Sequence, residues 1–454
     1  MVMVRTVLVC LFSPFFVGSS HGQDTLGPTR GTLITVMGNK QGIVVMTDSR
    51  ASVADANGRF IPAPQHPLQK LIKYDKQIVC AAAGLWRMPA RKKSEPQNNI
   101  LPGLDIQALG IVQTYRDALM EKGIHQSMSE TLAGLSAAIR GRFDIQADLN
   151  DYLGHSSEEI VNIYRLQLIL AGIDTDGEPK IGRIEIGVSR ERGFDGQLHW
   201  TAHEIEPQDE KGLPPDCRGL TTVEDELVIC SAGIDRIEKE MRARPEKFTQ
   251  ASIMRDFISA RDRDHGASLS LDYFKKLGHL FKLETVYSGD ERVGDTDQIA
   301  TIRRKSELEL DIPQNLQPIK NQTPFTVWIC KPGASIRGMA AGVGIVSDIP
   351  VIFESCTFLN MQMSLDGNIY MHCTFRDSEL IYWGGDNTLF EDDNTVEGNS
   401  FLRRGQISCR HPEVTEELAK RFDVQHGGTA YNGPGMKASQ ACPPPASAVT
   451  PSTH

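Results

Sequence analysis

The stretch GTLITVMGNKQGIVVMTDSRAS, residues 31–52, contains two short apolar runs rich in β-branched residues. These runs, Thr32–Val36 and Gly42–Thr47, flank the turn-forming segment GNKQ at 38–41 and predict a β-hairpin. Such a pair of strands near the start of the folded chain indicates a fold built on antiparallel sheets.

The following 260 or so residues contain further apolar β runs of this kind, with helical patterns between them. Further strand patterns occur at Lys70–Tyr74, Gln77–Ala83, Tyr164–Ile173, Ile181–Val188, Glu226–Ser231 and Asp297–Ile302. Helical spacing of apolar residues occurs at Leu104–Lys122, Ser129–Phe143, Asp235–Arg244, Ser252–Asp262 and Leu271–Tyr287. Two stacked sheets with helices on both outer faces bury these elements most simply. The order therefore predicts an α+β fold, a four-layer αββα sandwich over residues 32–311.

Residues 319–410 have a different texture, with short β runs between Gly and Asn turns. The tripeptide CTF at 356–358 recurs 17 residues later at 373–375, and TLF at 388–390 is a weaker copy. Repeats of this length predict a small β-solenoid, and a β-sandwich with an accidental repeat is the alternative. We expect a helix at 411–426 and a disordered tail at 427–454, since the tail is rich in Gly, Pro, Ser and Ala.

The first 22 residues are typical of a secretory signal peptide. Arg5 precedes an apolar segment at 6–17, and small residues end with Gly22. A secreted or periplasmic protein is therefore predicted, with residues 23–31 as a propeptide. A buried N-terminal element is the alternative, and no later segment is apolar for long enough to span a bilayer.

Composition argues against several functions. A net charge of -10, with no long Lys/Arg run, argues against a nucleic-acid partner, which requires concentrated positive charge. The spacing of the cysteines and histidines shows no metal signature, so neither a metal nor a cofactor is expected. Cys80 and Cys230 lie in apolar β runs and are predicted to be buried free thiols. Disulfide pairing stays open.

Four polar or small residues mark the ends of the first four strands. Thr32, preceded by Gly31, begins the first strand, and Asp48 ends the second. Lys70 opens the third, and Gly84 ends the fourth. Taken singly, each has a structural explanation, because threonine favours strands, aspartate favours turns and glycine permits bends.

Taken together, the fragments around these positions closely resemble the proteasome β-subunit family of N-terminal-nucleophile (Ntn) hydrolases. The similar fragments, in order, are 31–36, 42–52, 70–84, 169–174, 230–233, 287–294 and 299–302. The resemblance covers about residues 31–305 and implies the αββα fold and hydrolysis of peptide bonds by an N-terminal threonine.

The resemblance also implies roles for individual residues. Thr32 matches the nucleophile, which self-cleavage of the Gly31–Thr32 bond would expose. Asp48 and Lys70 match the charged pair that supports it. Gly84 matches the glycine whose backbone N–H binds the oxyanion.

One further residue matches, and two depart from the family pattern. Asp290 matches a second supporting aspartate. Ala232 and Val293 stand where the family has serines that support the amine and water network.

The chemistry accounts for these residue types. A threonine hydroxyl needs a base, and a free α-amine with a pKa of about 7.7–8.0 can serve. That amine exists only once the Gly31–Thr32 bond is cut. Lys70, held charged by Asp48, would favour the deprotonated hydroxyl.

The sequence therefore predicts an exported, autoprocessed threonine-type peptidase or amidohydrolase that acts on peptides or small amides. A homo-oligomer stays open. The alternative is a catalytically inactive scaffold with the same fold, whose C-terminal solenoid binds a glycan or a protein partner.

Overall fold

The computed structural model describes residues 32–54, 60–62, 67–84, 87–88, 106–145, 160–192, 198–205, 219–223, 227–233, 236–248, 254–255, 269–288, 292–294, 297–304, 306–319, 325–331, 333–337, 351–365, 368–382 and 394–404. These residues form a mixed α+β structure with mostly strands, several sheets and few helices. No sheet within the described ranges closes into a barrel. The predictions made for residues 1–31, 388–390 and 411–454 lie outside them.

The N-terminal region contains fifteen strands in the described residues, and it contains helices that pack on them. The strands are β1 (Leu33–Asn39), β2 (Gly42–Asp48), β3 (Ser52–Ala54), β4 (Phe60–Pro62), β5 (Leu71–Lys73), β6 (Ile78–Gly84), β7 (Arg87–Met88), β8 (Ile106–Gln107), β9 (Ile160–Ile173), β10 (Pro179–Arg192), β11 (Leu198–Glu204), β12 (Gly219–Thr222), β13 (Val228–Gly233), β14 (Asp297–Arg303) and β15 (Glu309–Asp311). The helices are α1 (Ala108–Glu121), α2 (Met128–Ile145), α3 (Arg236–Ala243) and α4 (Leu271–Tyr287), with a 3₁₀ helix at Pro245–Phe248.

Most of these strands belong to two antiparallel sheets. The first has the order β13-β1-β2-β14-β15, and the second has the order β11-β10-β9-β6-β5, with β12 also paired to β10. The pairs β1–β2 and β5–β6 confirm both predicted hairpins. The sequence patterns predict neither β11 nor β12, and β15 extends the sheet beyond the strand expected to end it. The helix α1 begins later than predicted because Ile106 and Gln107 form β8, which pairs with β7.

The two sheets face each other across one apolar cluster. Alternate residues of β1, β2, β6 and β9 point into it, as the two-residue period of a strand requires. They include Ile34, Val36, Ile43, Val45, Val79, Ala81, Ile169 and Ala171. The other faces are covered by helices. Leu166, Leu168 and Leu170 of β9 share a cluster with α1 and α2. Met37 and Met46 share another with Phe274 and Phe281 of α4.

Side-chain caps fix where two of these helices begin. The Ser127 hydroxyl accepts from the backbone N–H of Glu130 at 3.3 Å, and the Glu130 carboxylate accepts from the Ser127 N–H at 2.6 Å. This reciprocal capping box fixes the start of α2. At the start of α4, Ser270 accepts from the Tyr273 N–H at 3.2 Å.

The C-terminal region consists of short parallel strands. They are β16 (Thr326–Ile329), β17 (Ser335–Arg337), β18 (Val351–Glu354), β19 (Thr357–Leu359), β20 (Gln362–Ser364), β21 (Ile369–Met371), β22 (Thr374–Arg376), β23 (Glu379–Tyr382), β24 (Thr395–Glu397) and β25 (Phe401–Arg404). They form three parallel sheets, β16-β18-β21, β17-β19-β22-β24 and β20-β23-β25. Phe358 pairs with Phe375, so the two copies of the CTF repeat lie side by side in register.

Backbone corners and a disulfide also mark this region. Left-handed conformations recur at Ser355 and His372, and again at Asn360 and Asp377, with φ between 51° and 55°. A disulfide joins Cys330 to Cys356. The thiols Cys80 and Cys230 are free and buried, as predicted, and Cys373 is also free and buried.

The C-terminal region packs against α1 and α2, the helices that cover the second sheet. Phe325 meets Tyr115 of α1 edge-on, with ring centroids 5.8 Å apart. The Arg142 guanidinium of α2 lies 4.9 Å from the centroid of the same Phe325 ring. Ile369 and Met371 belong to the apolar cluster that these helices share with the second sheet. This helix face is therefore covered by the chain itself.

Candidate active site

Three of the predicted site residues meet at one end of the two facing sheets. Thr32 comes directly before β1. By the two-residue alternation of a strand it lies on the same face as Ile34 and Val36, which face the second sheet. Asp48 is the last residue of β2. Lys70 comes directly before β5, at the edge of the second sheet. The two hairpins thus bring a hydroxyl, a carboxylate and an ammonium group together.

The Lys70 ammonium group is the centre of this arrangement. It donates hydrogen bonds to the Thr32 hydroxyl and to the carbonyl oxygen of Arg50. Its nitrogen lies 3.6 Å from Oδ1 of Asp48. Thr32 is 0% exposed and Lys70 is 1% exposed, so these interactions are shielded from water. Shielding strengthens the electrostatic effect of the ammonium group on the hydroxyl.

The Asp48 carboxylate holds the backbone on several sides. Oδ1 accepts from the N–H of Leu33 at 3.0 Å, directly after Thr32. Oδ2 accepts from the N–H of Arg50 at 2.8 Å and from that of Gly294 at 2.9 Å. Asp290 itself lies outside the described residues, so its predicted role stays a prediction. The chain that follows it nevertheless reaches Asp48 through Gly294.

Burial changes the protonation of Lys70. Removal from water disfavours the charged amine and lowers the pKa of Lys70 from 10.5 to about 8. The charge of Asp48 acts in the opposite direction, as expected, but it does not outweigh burial. The expectation that Asp48 simply holds Lys70 charged is therefore incomplete. A fraction of the Lys70 amine is neutral at pH 7–8 and can accept a proton.

Gly84 lies at the same end of the molecule. Its φ is +81°, and a Cβ there would collide with the carbonyl oxygen of Arg165, so only glycine fits. A Cβ on Gly233 would likewise collide with the Thr32 carbonyl oxygen and would lie 3.1 Å from Cβ of Ala83. Ala83 and Thr32 thus flank the same glycine. The oxyanion role of the Gly84 N–H stays a prediction.

Two amides beside the site, Gln298, which is buried, and Gln167, which is half-buried, were not predicted. Gln298 of β14 is 0% exposed and shares the inward face of that strand with Ala300 and Ile302. An amide at an inward position of an otherwise apolar strand face is the signal that could have identified it. Gln167 of β9 has the same parity as Ile169, which also faces inward.

Gln167 connects Gly233, which pairs with Leu33 next to the threonine, to a charged network between the sheets. Its Oε1 accepts from the Gly233 N–H at 2.6 Å, and its Nε2 donates to Glu185 at 3.0 Å. Glu185 pairs with Arg183 at 3.0 Å and with Arg165 at 3.2 Å. The segment before Gly233, where Ala232 replaces the expected serine, is thus anchored by a neighbouring strand.

No protein-family model matches the chain, and comparison with curated proteins also finds no match. Within the described part of the chain, no group of three or more His, Cys, Asp or Glu side chains is arranged to hold a metal ion. None of the helices described there is long and apolar enough to cross a membrane. The functional interpretation therefore depends on the site geometry and on the resemblance of the sequence fragments.

Proposed function

We propose that the chain is an exported Ntn hydrolase that cleaves itself between Gly31 and Thr32 and then uses Thr32 as its nucleophile. In this proposal residues 32–311 form the αββα sandwich and residues 319–410 form a β-solenoid. The observation that carries it is the buried hydrogen bond from Lys70 to the Thr32 hydroxyl, beside Asp48. An ammonium group is rarely buried without a partner or a function.

These contacts support the following course for self-cleavage. The Thr32 hydroxyl oxygen attacks the Gly31 carbonyl carbon while its proton passes to neutral Lys70. The C–N bond then breaks, the nitrogen takes up the proton, and Gly31 is left as an ester on the threonine oxygen. One water molecule hydrolyses the ester, which yields a Gly31 carboxylate, a free hydroxyl and a free α-amine.

Substrate hydrolysis repeats this chemistry on another amide. The new α-amine accepts the proton of the Thr32 hydroxyl as the oxygen attacks the substrate carbonyl. The Gly84 N–H would stabilise the oxyanion, and loss of one such donor typically costs about 2.7–4 kcal/mol. The amine product leaves with the proton, and water releases the acyl group. The substrate class is a peptide or a small amide.

The mass of the purified chain tests the proposal. A mature chain that begins at Thr32 is expected, and Thr32→Ala should leave the bond to Gly31 intact and abolish hydrolysis of acyl-peptide amides. Thr35→Val is the matched control, because Thr35 is also buried, in the strand that Thr32 directly precedes, but its side chain points to the opposite face. Unchanged processing in Thr32→Ala would refute self-cleavage.

The second candidate, an inactive scaffold, is favoured by one surface feature. Trp328 and Ile329 of β16 are 55% and 46% exposed, unusually high for large apolar residues. An exposed aromatic side chain on stacked strands suits a glycan or a protein partner. A mature chain that begins near Gln23 and does not hydrolyse amides would support this function instead.

A further inference from the structure

Gln298 uses its whole side-chain amide on the two backbone segments that carry Asp48 and Lys70. Its Oε1 accepts from the N–H of Lys70 at 2.9 Å and from that of Leu71 at 3.2 Å. Its Nε2 donates to the carbonyl oxygen of Leu68 at 2.8 Å and to that of Asp48 at 3.4 Å. One residue therefore joins the end of β2 to the start of β5, across the gap between the two sheets.

This link supplements other polar contacts between the two sheets and the segments beside them, such as the hydrogen bond from the Leu68 N–H to the Ser49 carbonyl oxygen at 2.9 Å. Asp48 belongs to the first sheet, whereas Lys70 precedes an edge strand of the second. Much of the packing between the sheets is apolar, and apolar contacts do not fix the relative height of two strands as sharply as directed hydrogen bonds do. The distance from Lys70 to Thr32 and Asp48 depends on that height.

We propose that Gln298 is a positioning residue that sets where the Lys70 amine lies between Thr32 and Asp48. The proposal rests on the proposed function for its effect on catalysis. The Gln298 side chain makes no hydrogen bond to the reacting hydroxyl and acts through the backbone of Lys70 and Asp48. Without it, the buried N–H and carbonyl groups would require water, and water at this point would solvate the amine.

The first test is independent of cleavage. In the uncut Thr32→Ala background, the titration of Lys70 is followed by its pH-dependent acylation, read by mass spectrometry. Gln298→Met should raise the Lys70 midpoint by about half a pH unit or more, because water then stabilises the ammonium form. Gln298→Leu, which also removes both hydrogen-bonding groups and adds no charge, should raise it likewise. It provides the same readout if the Met variant does not fold.

Asn39→Leu is the matched control. Asn39 is also a buried amide in the first sheet, at the opposite end of β1, and it binds the Leu269 carbonyl at 2.8 Å and the Gln41 N–H at 2.9 Å. It should lower the melting temperature as Gln298→Met does and leave the Lys70 midpoint unchanged. A Lys70 midpoint that moves in neither Gln298 variant, or that moves equally in Asn39→Leu, would overturn the positioning role.

The second test uses the otherwise wild-type chain. Gln298→Met should slow self-cleavage by about tenfold to a hundredfold and displace its pH profile to higher pH, whereas Asn39→Leu should keep the profile in place. A wild-type chain that never cleaves would refute the proposed function, but the titration of Lys70 would still decide the role of Gln298. Wild-type cleavage with an unmoved profile in both Gln298 variants would refute the positioning role alone.

Discussion

The buried polar groups of the C-terminal region and those of the candidate site have different kinds of partner. In the C-terminal region, buried Asn394 and Ser378 bind the backbone of the neighbouring strands, for example the Cys373 N–H and the Phe358 carbonyl. In the N-terminal region, buried Lys70 is directed at the hydroxyl of Thr32 and the carboxylate of Asp48. The partners therefore indicate the role. A buried polar group that binds the backbone stabilises the fold, whereas one that binds other reactive side chains can take part in catalysis.

The largest expected effect comes from removing the amine. Lys70→Met should slow self-cleavage about a thousandfold, because general acid–base groups contribute 10²–10⁴-fold to rate. Mass spectrometry over time gives the rate. Lys282→Met is the control, since Lys282 is also buried but pairs with Asp297 on α4's side of the sheet, and it should cleave at nearly the normal rate. Equal slowing in both variants would show that loss of any buried lysine slows self-cleavage, and it would refute a specific role for Lys70.

The next effect concerns the C-terminal core. Phe375 is fully buried and stacks on Phe358 with centroids 5.1 Å apart, so Phe375→Ala should cost about 3–5 kcal/mol in unfolding free energy. Urea unfolding measures this loss. Self-cleavage under native conditions should continue, because Phe375 has no contact with the site. The half-buried neighbour Thr374→Ala should cost far less.

A third test uses pH. Burial lowers the folded-state pKa of Lys70 from 10.5 to about 8, so between these values the unfolded chain binds more protons. The free energy of unfolding should therefore rise with pH across this window, by about 3 kcal/mol, and the penalty should be complete below pH 8. Thr32→Ala compared with the Thr32→Ala, Lys70→Met double variant isolates the slope. Self-cleavage should likewise accelerate with a midpoint near pH 8.

The smallest expected effect concerns the backbone-serving amides. The Asn394 side chain accepts from the Cys373 N–H at 2.9 Å and donates to the Tyr370 carbonyl at 2.8 Å. Asn394→Ala should cost about 1–3 kcal/mol of stability, because two buried groups lose their partner. Calorimetry reads the loss, and the rate of self-cleavage should stay the same. A changed rate would show that the two regions are coupled through the helices they share.

Local pattern predicted much of the fold. The first hairpin and α4 were predictable because their apolar period, turn residues and cap are all local to the segment. The strand β12 was not, since GLTT carries little alternation and depends on its pairing with β10. In the C-terminal region, the 17-residue recurrence predicted that Phe358 and Phe375 would lie at equivalent positions, and they pair in register.

The site was predictable only in part. Thr32, Asp48 and Lys70 were found because strand ends and the family resemblance marked them, and they do lie together. Gln298 was missed because its partners lie about 230 residues away in sequence and no local pattern connects them. The balance between burial and Asp48 at Lys70 also requires three dimensions, since a sequence does not show how much water a lysine loses.

In the proposed function, the complete burial of Thr32 has a consequence for how self-cleavage proceeds. A hydroxyl sealed inside its own chain can reach only the bond next to it, so one molecule has no access to the junction of another. Maturation should then follow first-order kinetics, with a half-life that is the same at nanomolar and micromolar concentration. An already mature sample should leave added Thr32→Ala chains uncut. Each copy would therefore remain inactive until it cleaves its own Gly31–Thr32 bond, and no second protein would be required for that cleavage.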